Sequence, residues 1–426
     1  MQATTSAPLR IAVWHNLPSG GASRSLHQHI NGLVERGHHV EVWCPPTADS
    51  SFLNVGGLVR QHVVPFDSFL PPAYRWQERL LALRYVNDTL MNRMDAHCHR
   101  CAADIGAGQF DVVYMHSCQT FTVPFLAKYL RLPKVLYLHE PARGLYEVWP
   151  DRLCWEAPSR DKRGLSAAAY FRDLVTISRH RVRVREERKN VGLYDRVLVN
   201  SIFSNEAMLR IYGRSGEVCR LGVDASLFPN LNLPRENFVM GLGTIHPHKG
   251  LEMAVLAVAS IRHNRPRLVW VGNSSDAEYL EKVRRLADAK EVRLEIRKLV
   301  PQAELVQLLN KARCLLCTSK LEPLGLAPLE ANSCGLPVVA VEEGGLRETI
   351  IHKQTGLLVP RNAVRLGQAV SWVLADDTLF GELSRNATRH IREHWSLTQS
   401  IDNIEDVLLE AATRTPERAV LTQRER

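Results

Sequence analysis

Two carboxylates, Glu322 and Glu330, and one amine, Lys249, stand in surroundings that suit chemistry on a phosphorylated ligand. The carboxylates share the segment Ser319-Lys-Leu-Glu-Pro-Leu-Gly-Leu-Ala-Pro-Leu-Glu. An apolar run, Cys314-Leu-Leu-Cys-Thr, precedes it. A helix pattern ending at Gly335 and a second apolar run, Pro337 to Val341, follow. The expected order is strand, glycine loop, helix, strand. Such a loop gathers backbone N–H groups and the positive end of a helix dipole at one point, where a phosphate binds. Gly325, Leu326 and Ala327 stand at that point, and Pro328 suits the first helical turn, where no N–H is needed. Glu330 follows on that turn, where a carboxylate accepts hydrogen bonds from ribose hydroxyls. Glu322 lies across the loop, near whatever hangs from the phosphates. The spacing alone also allows a solvated pair flanking a loop.

Other candidates sit at strand ends. Gly241-Leu-Gly-Thr-Ile-His-Pro-His-Lys-Gly closes one strand, with Lys249 just before Gly250 and a helix, placed to neutralise a diphosphate. Gly20-Gly21 follows the first strand and precedes a helix. Glycine there permits a tight turn and close approach of the backbone to a phosphate or sugar. Val135-Leu-Tyr-Leu-His139-Glu140-Pro141 puts two polar groups at the tip of another strand. Glu140 either meets an acceptor or caps its loop. His116, ending the preceding strand, is a weaker candidate.

Glu322-x7-Glu330 followed by Gly335-Leu-Pro337-Val-Val resembles the donor-site signature of the family-4 retaining glycosyltransferases of the GT-B fold. The flanking strands, Gly325 and the later Gly344-Gly345-Leu-Arg-Glu make the match specific, and it is strongest from Gly241 to Val359. The resemblance implies transfer of a hexose from a nucleotide-diphosphate sugar, with retention, to a glycan, lipid-linked or small hydroxyl acceptor. It implies no cofactor and no metal, because the leaving phosphate itself takes the incoming proton. It implies Glu330 on the ribose, Lys249 on the diphosphate, Glu322 and His139 on the sugar, Gly20-Gly21 over the diphosphate, and Gly344-Gly345 shaping the nucleotide pocket. One position departs: where the family carries an arginine beside the phosphates, this chain has Thr244, with His246 and His248 as stand-ins if protonated. That departure keeps open a nucleotide- or glycan-binding protein that does not turn its ligand over. A nucleotide-sugar epimerase is a third reading and predicts product without any acceptor.

These residues need a scaffold, and the pattern along the chain supplies two. The first opens with a strand, Leu9 to Trp14, an amphipathic helix, Ser23 to Arg36, and a strand, His39 to Cys44. Strands near Val59–Val64, Val112–Met115, Val135–Leu138 and Val197–Asn200 follow, with a polar helix or helix pair over Arg75 to Cys101. A second series runs Phe238–Leu242, Leu268–Gly272, Val292–Ile296 and Cys314–Thr318. Alternating strands and helices predict doubly wound parallel sheets. A chain of 426 residues also exceeds the size at which one core stops growing. The fold class is therefore α/β, two facing Rossmann-like domains with a ligand cleft between them. The expected limits are 8–228 for the first domain, 229–236 for the linker and 237–395 for the second. A helix at 396–413 is expected to pack back on the first domain, and a frayed tail at 414–426 completes the chain.

Composition is globular, 45% hydrophobic and 23% charged, which excludes a disordered chain. The start of the chain lacks the charged and apolar regions of a signal peptide, and no apolar run approaches the ~18 residues of a spanning helix. A cytoplasmic protein is expected, with peripheral contact to the inner face of the membrane as a further expectation. Nine cysteines in this length do not make a disulfide scaffold. Cys98 and Cys101, beside His97 and His99, share a helix face and read as thiols rather than a metal site; Cys314 and Cys317 read as core. The net charge of +9 suits phosphorylated substrates or anionic membranes. No nucleic-acid-binding motif accompanies it. Much of the charge sits in Arg160 to Lys189, including Arg163, Arg172, Arg179, Arg181, Arg183, Arg185 and Arg188. That stretch is either a solvated helix face or a patch for anionic headgroups or a lipid-linked acceptor.

Overall fold

The computed structural model describes residues 7–49, 53–66, 89–143, 167–273 and 275–413. Part of the expected helix over Arg75 to Cys101, the basic stretch before residue 167 and the tail from residue 414 lie outside these. The chain divides into two compact units. The first comprises residues up to Val199, Asn205–Glu217 and those from Ile404 on; the second comprises Asn200–Ser204 and Val218–Asn403.

In the first unit, apolar runs become the strands β1 (Arg10–Asn16), β2 (His39–Cys44), β3 (Arg60–Val63), β4 (Val112–Cys118), β5 (Lys134–Leu138), β6 (Arg196–Val199) and β7 (Glu217–Val218). They line up as β3-β2-β1-β4-β5-β6-β7. The pairs from β3 to β6 are parallel, with Ile11 opposite both Val40 and Val112, and His116 opposite Tyr137. All seven residues of β4 are buried, as expected of a parallel strand covered on both faces. The helix Gly21–Glu35 buries Leu26, His29, Ile30 and Leu33, one stripe at helical spacing. Each aliphatic member of that stripe contributes about 1.5–3 kcal/mol by leaving water.

The helix Thr89–Ala107 turns Met94, Cys98, Cys101 and Ile105 into the core with Trp14, Phe125 and Leu136. Cys98 and Cys101 are thus core thiols. Burial raises the pKa of both, Cys98 far above the ordinary thiol value, so both stay protonated. Residues of the last helix, Leu397–Thr413, that belong to this unit carry Glu405 to Arg36 and to His38 Nε2 (2.8 Å), and Glu410 to Arg196 (2.9 Å).

The second unit holds β8 (Phe238–Leu242), β9 (Arg267–Gly272), β10 (Leu294–Lys298), β11 (Cys314–Cys317), β12 (Val338–Val341) and β13 (Gly356–Val359). Their order is β10-β9-β8-β11-β12-β13, parallel throughout. Both sheets therefore reverse direction between their first and fourth strands, at β1/β4 and at β8/β11. In such sheets ligands bind outside the carboxyl ends of the strands at that switch point. Two edge strands, β7 and β13, are additions to the sequence reading.

Among the described residues, no helix is long and apolar enough to cross a membrane.

Candidate functional site

The switch point of the second unit is built from two loops stitched together through their backbones. After β8 the chain passes Gly243 and enters a short 3-10 turn, Pro247–Lys249, which ends at Gly250. Gly250 has φ 73°, and a Cβ on it would lie 2.4 Å from the carbonyl oxygen of Thr318, so no other residue fits. Thr318 follows β11, and its hydroxyl donates to the carbonyls of Lys249 and Gly250 at 3.1 and 2.9 Å. The Lys320 N–H donates to the His248 carbonyl at 2.7 Å.

On this frame Lys249 Nζ donates to both carboxylate oxygens of Glu322, at 3.0 and 2.7 Å. Both side chains are largely shielded, 22% and 15% exposed, so salt screens their attraction less than it does a surface pair. Residues 73 positions apart thus meet at the carboxyl ends of β8 and β11.

Glu322 is held from behind. The Gly345 N–H donates to its carbonyl at 2.7 Å. A Cβ on Gly344 would come within 2.5 Å of that same carbonyl, and one on Gly345 within 2.2 Å of the Pro323 carbonyl. The Gly344-Gly345 pair is therefore a close-approach device that seats the Glu322 loop. Glu348, from the same motif, accepts the N–H groups of Ile202 and Phe203, both at 2.9 Å, in the same unit. That caps a helix start with a carboxylate.

Past Glu322, Gly325 adopts φ 98° and opens the helix Leu326–Ser333. Leu326 and Ala327 are half-buried in its first turn, and every residue from Pro328 to Ser333 is buried, Glu330 included. The Cys334 thiol is pushed up to about 12, by burial first and then by the charge of Glu330.

Arg361 was not legible as a site residue. It follows β13 and pairs with both oxygens of Glu343 at 2.7 Å. It also donates to the carbonyls of Thr318 at 3.0 Å and Ser319 at 2.7 Å. One guanidinium thus fixes the end of β11 and the loop after β12. Burial would raise the Glu343 pKa, but the Arg361 hydrogen bonds and charge, the Leu321 N–H and Lys320 outweigh it and hold the carboxyl below its ordinary value. Its only advance sign was an arginine directly after an apolar run.

Thr244, at the expected arginine position, is half-buried, and its carbonyl accepts the His246 N–H at 3.1 Å. The His246 and His248 rings meet Nδ1 to Nδ1 at 2.7 Å on the surface. Arg361 is committed to Glu343 and two carbonyls.

The switch point of the first unit has a different character. His139 follows β5 and is buried; its Nε2 lies 3.0 Å from Nδ1 of His116 on β4. His116 stacks on Tyr137, centroids 5.6 Å apart and planes 17° off parallel, and meets Tyr114 edge-on at 4.7 Å. His29 reaches the Tyr114 hydroxyl at 3.0 Å. His15, at the end of β1, is buried with no hydrogen-bond partner for either ring nitrogen among the described residues. Burial lowers the pKa of His139 and of His29 to about 3, with His139 assisting at His29, and that of His15 to about 4. Burial, then His139, His29 and His15, puts His116 well below its ordinary value. All four imidazoles are neutral at neutral pH.

Beside them lies a polar lattice that the sequence did not reveal. Asn16 Oδ1 accepts from Thr47 at 3.0 Å and Gln119 at 3.1 Å, and the Gln119 amide also donates to the Thr47 carbonyl at 2.6 Å. Gly20 (φ 144°) and Gly21 open the helix Gly21–Glu35, and Glu140 pairs with Arg143.

Comparison with known proteins bears on both units. The family model described as Glycosyltransferase Family 4 matches residues 19–227, and that described as Glycosyl transferases group 1 matches residues 224–393. The D-inositol 3-phosphate glycosyltransferase of Acidothermus cellulolyticus is 30% identical over 241 residues, 51% of this chain. That stretch spans about half of the relative, 54% of its length. Among solved structures, the sucrose-phosphate synthase of Thermosynechococcus elongatus matches with TM-score 0.71 and 20% identity, covering 94% of this chain and 98% of its own. HepE of Anabaena, solved with UDP and glucose, matches with TM-score 0.68 and 18% identity, covering 94% of this chain and all (100%) of its own. The fold of both units is the Rossmann-like pair of the GT-B class.

Proposed function

The chain belongs to glycosyltransferase family 4, the glycosyl transferases group 1, and on that premise we propose that it is a retaining glycosyltransferase. It moves a hexose from a nucleotide-diphosphate sugar to a glycan, lipid-linked or small hydroxyl acceptor. One observation carries this reading: Lys249 and Glu322 meet at the switch point of the second sheet, on the frame that leads to Glu330. A lysine there neutralises the departing diphosphate, and a carboxylate one loop away engages the sugar.

In this reading the bond from the sugar C1 to the diphosphate oxygen breaks as the acceptor oxygen bonds to C1. The acceptor proton passes to the leaving phosphate. No side chain then has to act as base, and catalysis rests on position and on charge stabilisation. Lys249 holds the charge that develops on the phosphate. The buried Glu330 accepts from the ribose hydroxyls, and Gly325, Leu326 and Ala327 offer backbone N–H groups to the diphosphate. A UDP sugar is the first donor to try, because HepE was solved with UDP and glucose. In the first unit, neutral His139 contacts the sugar as a hydrogen-bonding group rather than as an acid. Gly20-Gly21 borders the diphosphate, and Glu140 lies on the acceptor side.

The basic helix Ala167–Val191 supports a lipid-linked acceptor or an anionic membrane surface. Ile177, Val184, Arg181, Arg185 and Arg188 line a groove of about 670 Å³ on it. Flotation with anionic liposomes at low and moderate salt tests this; binding that ignores salt, or none at all, removes it.

Thr244 favours a second reading, a nucleotide- or glycan-binding protein with weak or no turnover. A thermal-shift screen of nucleotide sugars on the parent, Glu330→Ala and Lys249→Ala tests the site, and transfer assays on the hits test turnover. Stabilisation by a donor that survives in both variants sinks the site assignment. Donor binding without transfer to any purified acceptor pool selects the second reading.

A further inference from the structure

We propose that Arg361 and Glu343 form a positioning pair that holds Leu321 in a left-handed backbone turn, and that this turn aims Glu322 at Lys249 and at the donor sugar. The inference rests on the proposed contact of Glu322 with the sugar, but its structural half does not depend on turnover.

Leu321 has φ 47°, in the left-handed region that residues with a Cβ avoid. Six described residues other than glycine have positive φ. Two of them, Asn232 and Asn264, are asparagines, which tolerate it, and of the six Leu321 is the one that immediately precedes a site carboxylate. The φ of Leu321 sets the direction in which the chain leaves for Glu322. A return to the right-handed region would turn that direction by about 100°. Such strain persists only where the surroundings over-determine the backbone, and it gathers at functional sites.

Here one guanidinium and one carboxylate do the determining. Arg361 donates from Nη1 to the Thr318 carbonyl at 3.0 Å and from Nη2 to the Ser319 carbonyl at 2.7 Å. Its Nε and Nη2 donate to Glu343, each at 2.7 Å. Glu343 Oε2 in turn accepts the Leu321 N–H at 3.4 Å. The pair thereby ties backbone groups on both sides of Lys320, directly before Glu322. Two further bonds close the frame: the Lys320 N–H to the His248 carbonyl, and the Gly345 N–H to the Glu322 carbonyl, both at 2.7 Å. His248 adjoins Lys249, so the frame that bends Leu321 also registers the lysine. A planar fork can reach two carbonyls and a carboxylate at once, which a point charge on a flexible stem cannot. With Arg361 gone, two carbonyls lose that donor, Glu343 loses its counter-charge, and Leu321 can shed its strain.

Crystal structures of the parent and of Arg361→Met read the turn directly, without turnover. The parent is expected to show Leu321 at positive φ with Lys249 paired to Glu322. The variant is expected to show negative φ and that pair broken. In transfer assays Arg361→Met should lower kcat roughly 10- to 100-fold, the scale of a misplaced reacting group. Affinity for UDP alone, which carries no sugar, is expected to hold. Leu321→Val, β-branched and unsuited to positive φ, should lose kcat to a similar degree with Arg361 in place. Leu321→Gly, for which both signs of φ are open, should keep most of kcat. Combined with Arg361→Met, it should return part of what that change removes.

Positive φ at Leu321 and an intact Lys249–Glu322 pair in the Arg361→Met structure overturn the proposal, as does negative φ in the parent. Losses that simply add in the double variant mark a packing role for Arg361, and that too overturns it. Should Arg361→Met fail to fold, Leu321→Val and Leu321→Gly still decide: equal activity in the two removes the turn from the mechanism. If no donor is turned over at all, the proposed activity fails while the structures judge the positioning pair alone.

Discussion

The two units share one strand order, and each gathers polar groups from several elements around the switch point between its first and fourth strands, yet the two switch points are chemical opposites. At β8/β11 the groups are ions in pairs: Lys249 with Glu322, and Arg361 with Glu343. At β1/β4 they are neutral: His15, His29, His116 and His139 among Tyr114 and Tyr137, all buried. Topology locates a site, and the side chains decide which part of a ligand it suits. A diphosphate needs cations that stay charged, which partial exposure and opposite charges secure. A neutral sugar needs oriented donors and acceptors, which burial and ring packing secure.

The contrast is open to attack, first through acid. Four imidazoles held below their unfolded pKa of ~6.5 favour the folded state only while neutral. Their contribution is full above that value and falls as pH drops towards the folded values, about 3 for His29 and His139 and about 4 for His15. Each contributes a slope of up to about 1.4 kcal/mol per pH unit in that window. Hydrogen exchange between pH 7 and 4.5 should show the β1, β4 and β5 amides losing protection while those of β8, β11 and β12 keep theirs. Equal loss in both sheets breaks the comparison.

The next largest effect is expected at the charged switch point. Lys249→Ala removes the cation that meets the leaving phosphate and leaves Glu322 without its lysine. By analogy with deleting one group that stabilises developing charge, kcat should fall about 10²- to 10³-fold, some 2.7–4 kcal/mol. Steady-state transfer kinetics measure this, with thermal unfolding to check that the fold survives. A fall confined to KM places Lys249 in ground-state binding only.

Arg361→Met sharpens the comparison with a smaller effect. The Arg361–Glu343 pair is about a quarter exposed on each side, 26% and 25%, so solvent tempers it. A loss of about 1–2 kcal/mol is expected at neutral pH. Glu343 has a depressed folded pKa, so its contribution is present above the ordinary carboxylate range and vanishes as pH falls through the folded value. The stability gap between parent and variant should therefore narrow as pH falls below the ordinary carboxylate value of ~4.3. Chemical denaturation at pH 7 and pH 3.5 reads it, and a gap that persists in acid assigns Arg361 a packing role.

Much of this was readable in advance, for particular reasons. β8, β9, β11 and β12 carry short apolar runs, Phe238-Val-Met, Leu268-Val-Trp-Val, Cys314-Leu-Leu-Cys and Val338-Val-Ala-Val, which suit strands buried on both faces. The loop before Leu326 was readable because glycine, proline and glutamate occur there in an order that is hard to explain otherwise. β13 escaped notice because Gly356-Leu-Leu-Val is four residues long, with Leu358 and Val359 only half-buried. β7 has just two residues. The partners of Glu322 and Glu343 were not inferable, because hydrogen bonds between distant loops leave no local periodicity.

The sequence by itself determined the two doubly wound sheets, the glycine-hinged loop and the residue types able to meet phosphate, ribose and sugar. Local rules suffice for these, since strand and helix patterns and glycine's backbone freedom act within a few neighbours. Only the tertiary structure decided which of those residues meet and in what state. It joined Lys249 to Glu322, set Arg361 behind the loop and turned His116 towards His139. The reason is the pairing of strands remote in the chain: register fixes which strand ends share a switch point, and burial there fixes charge.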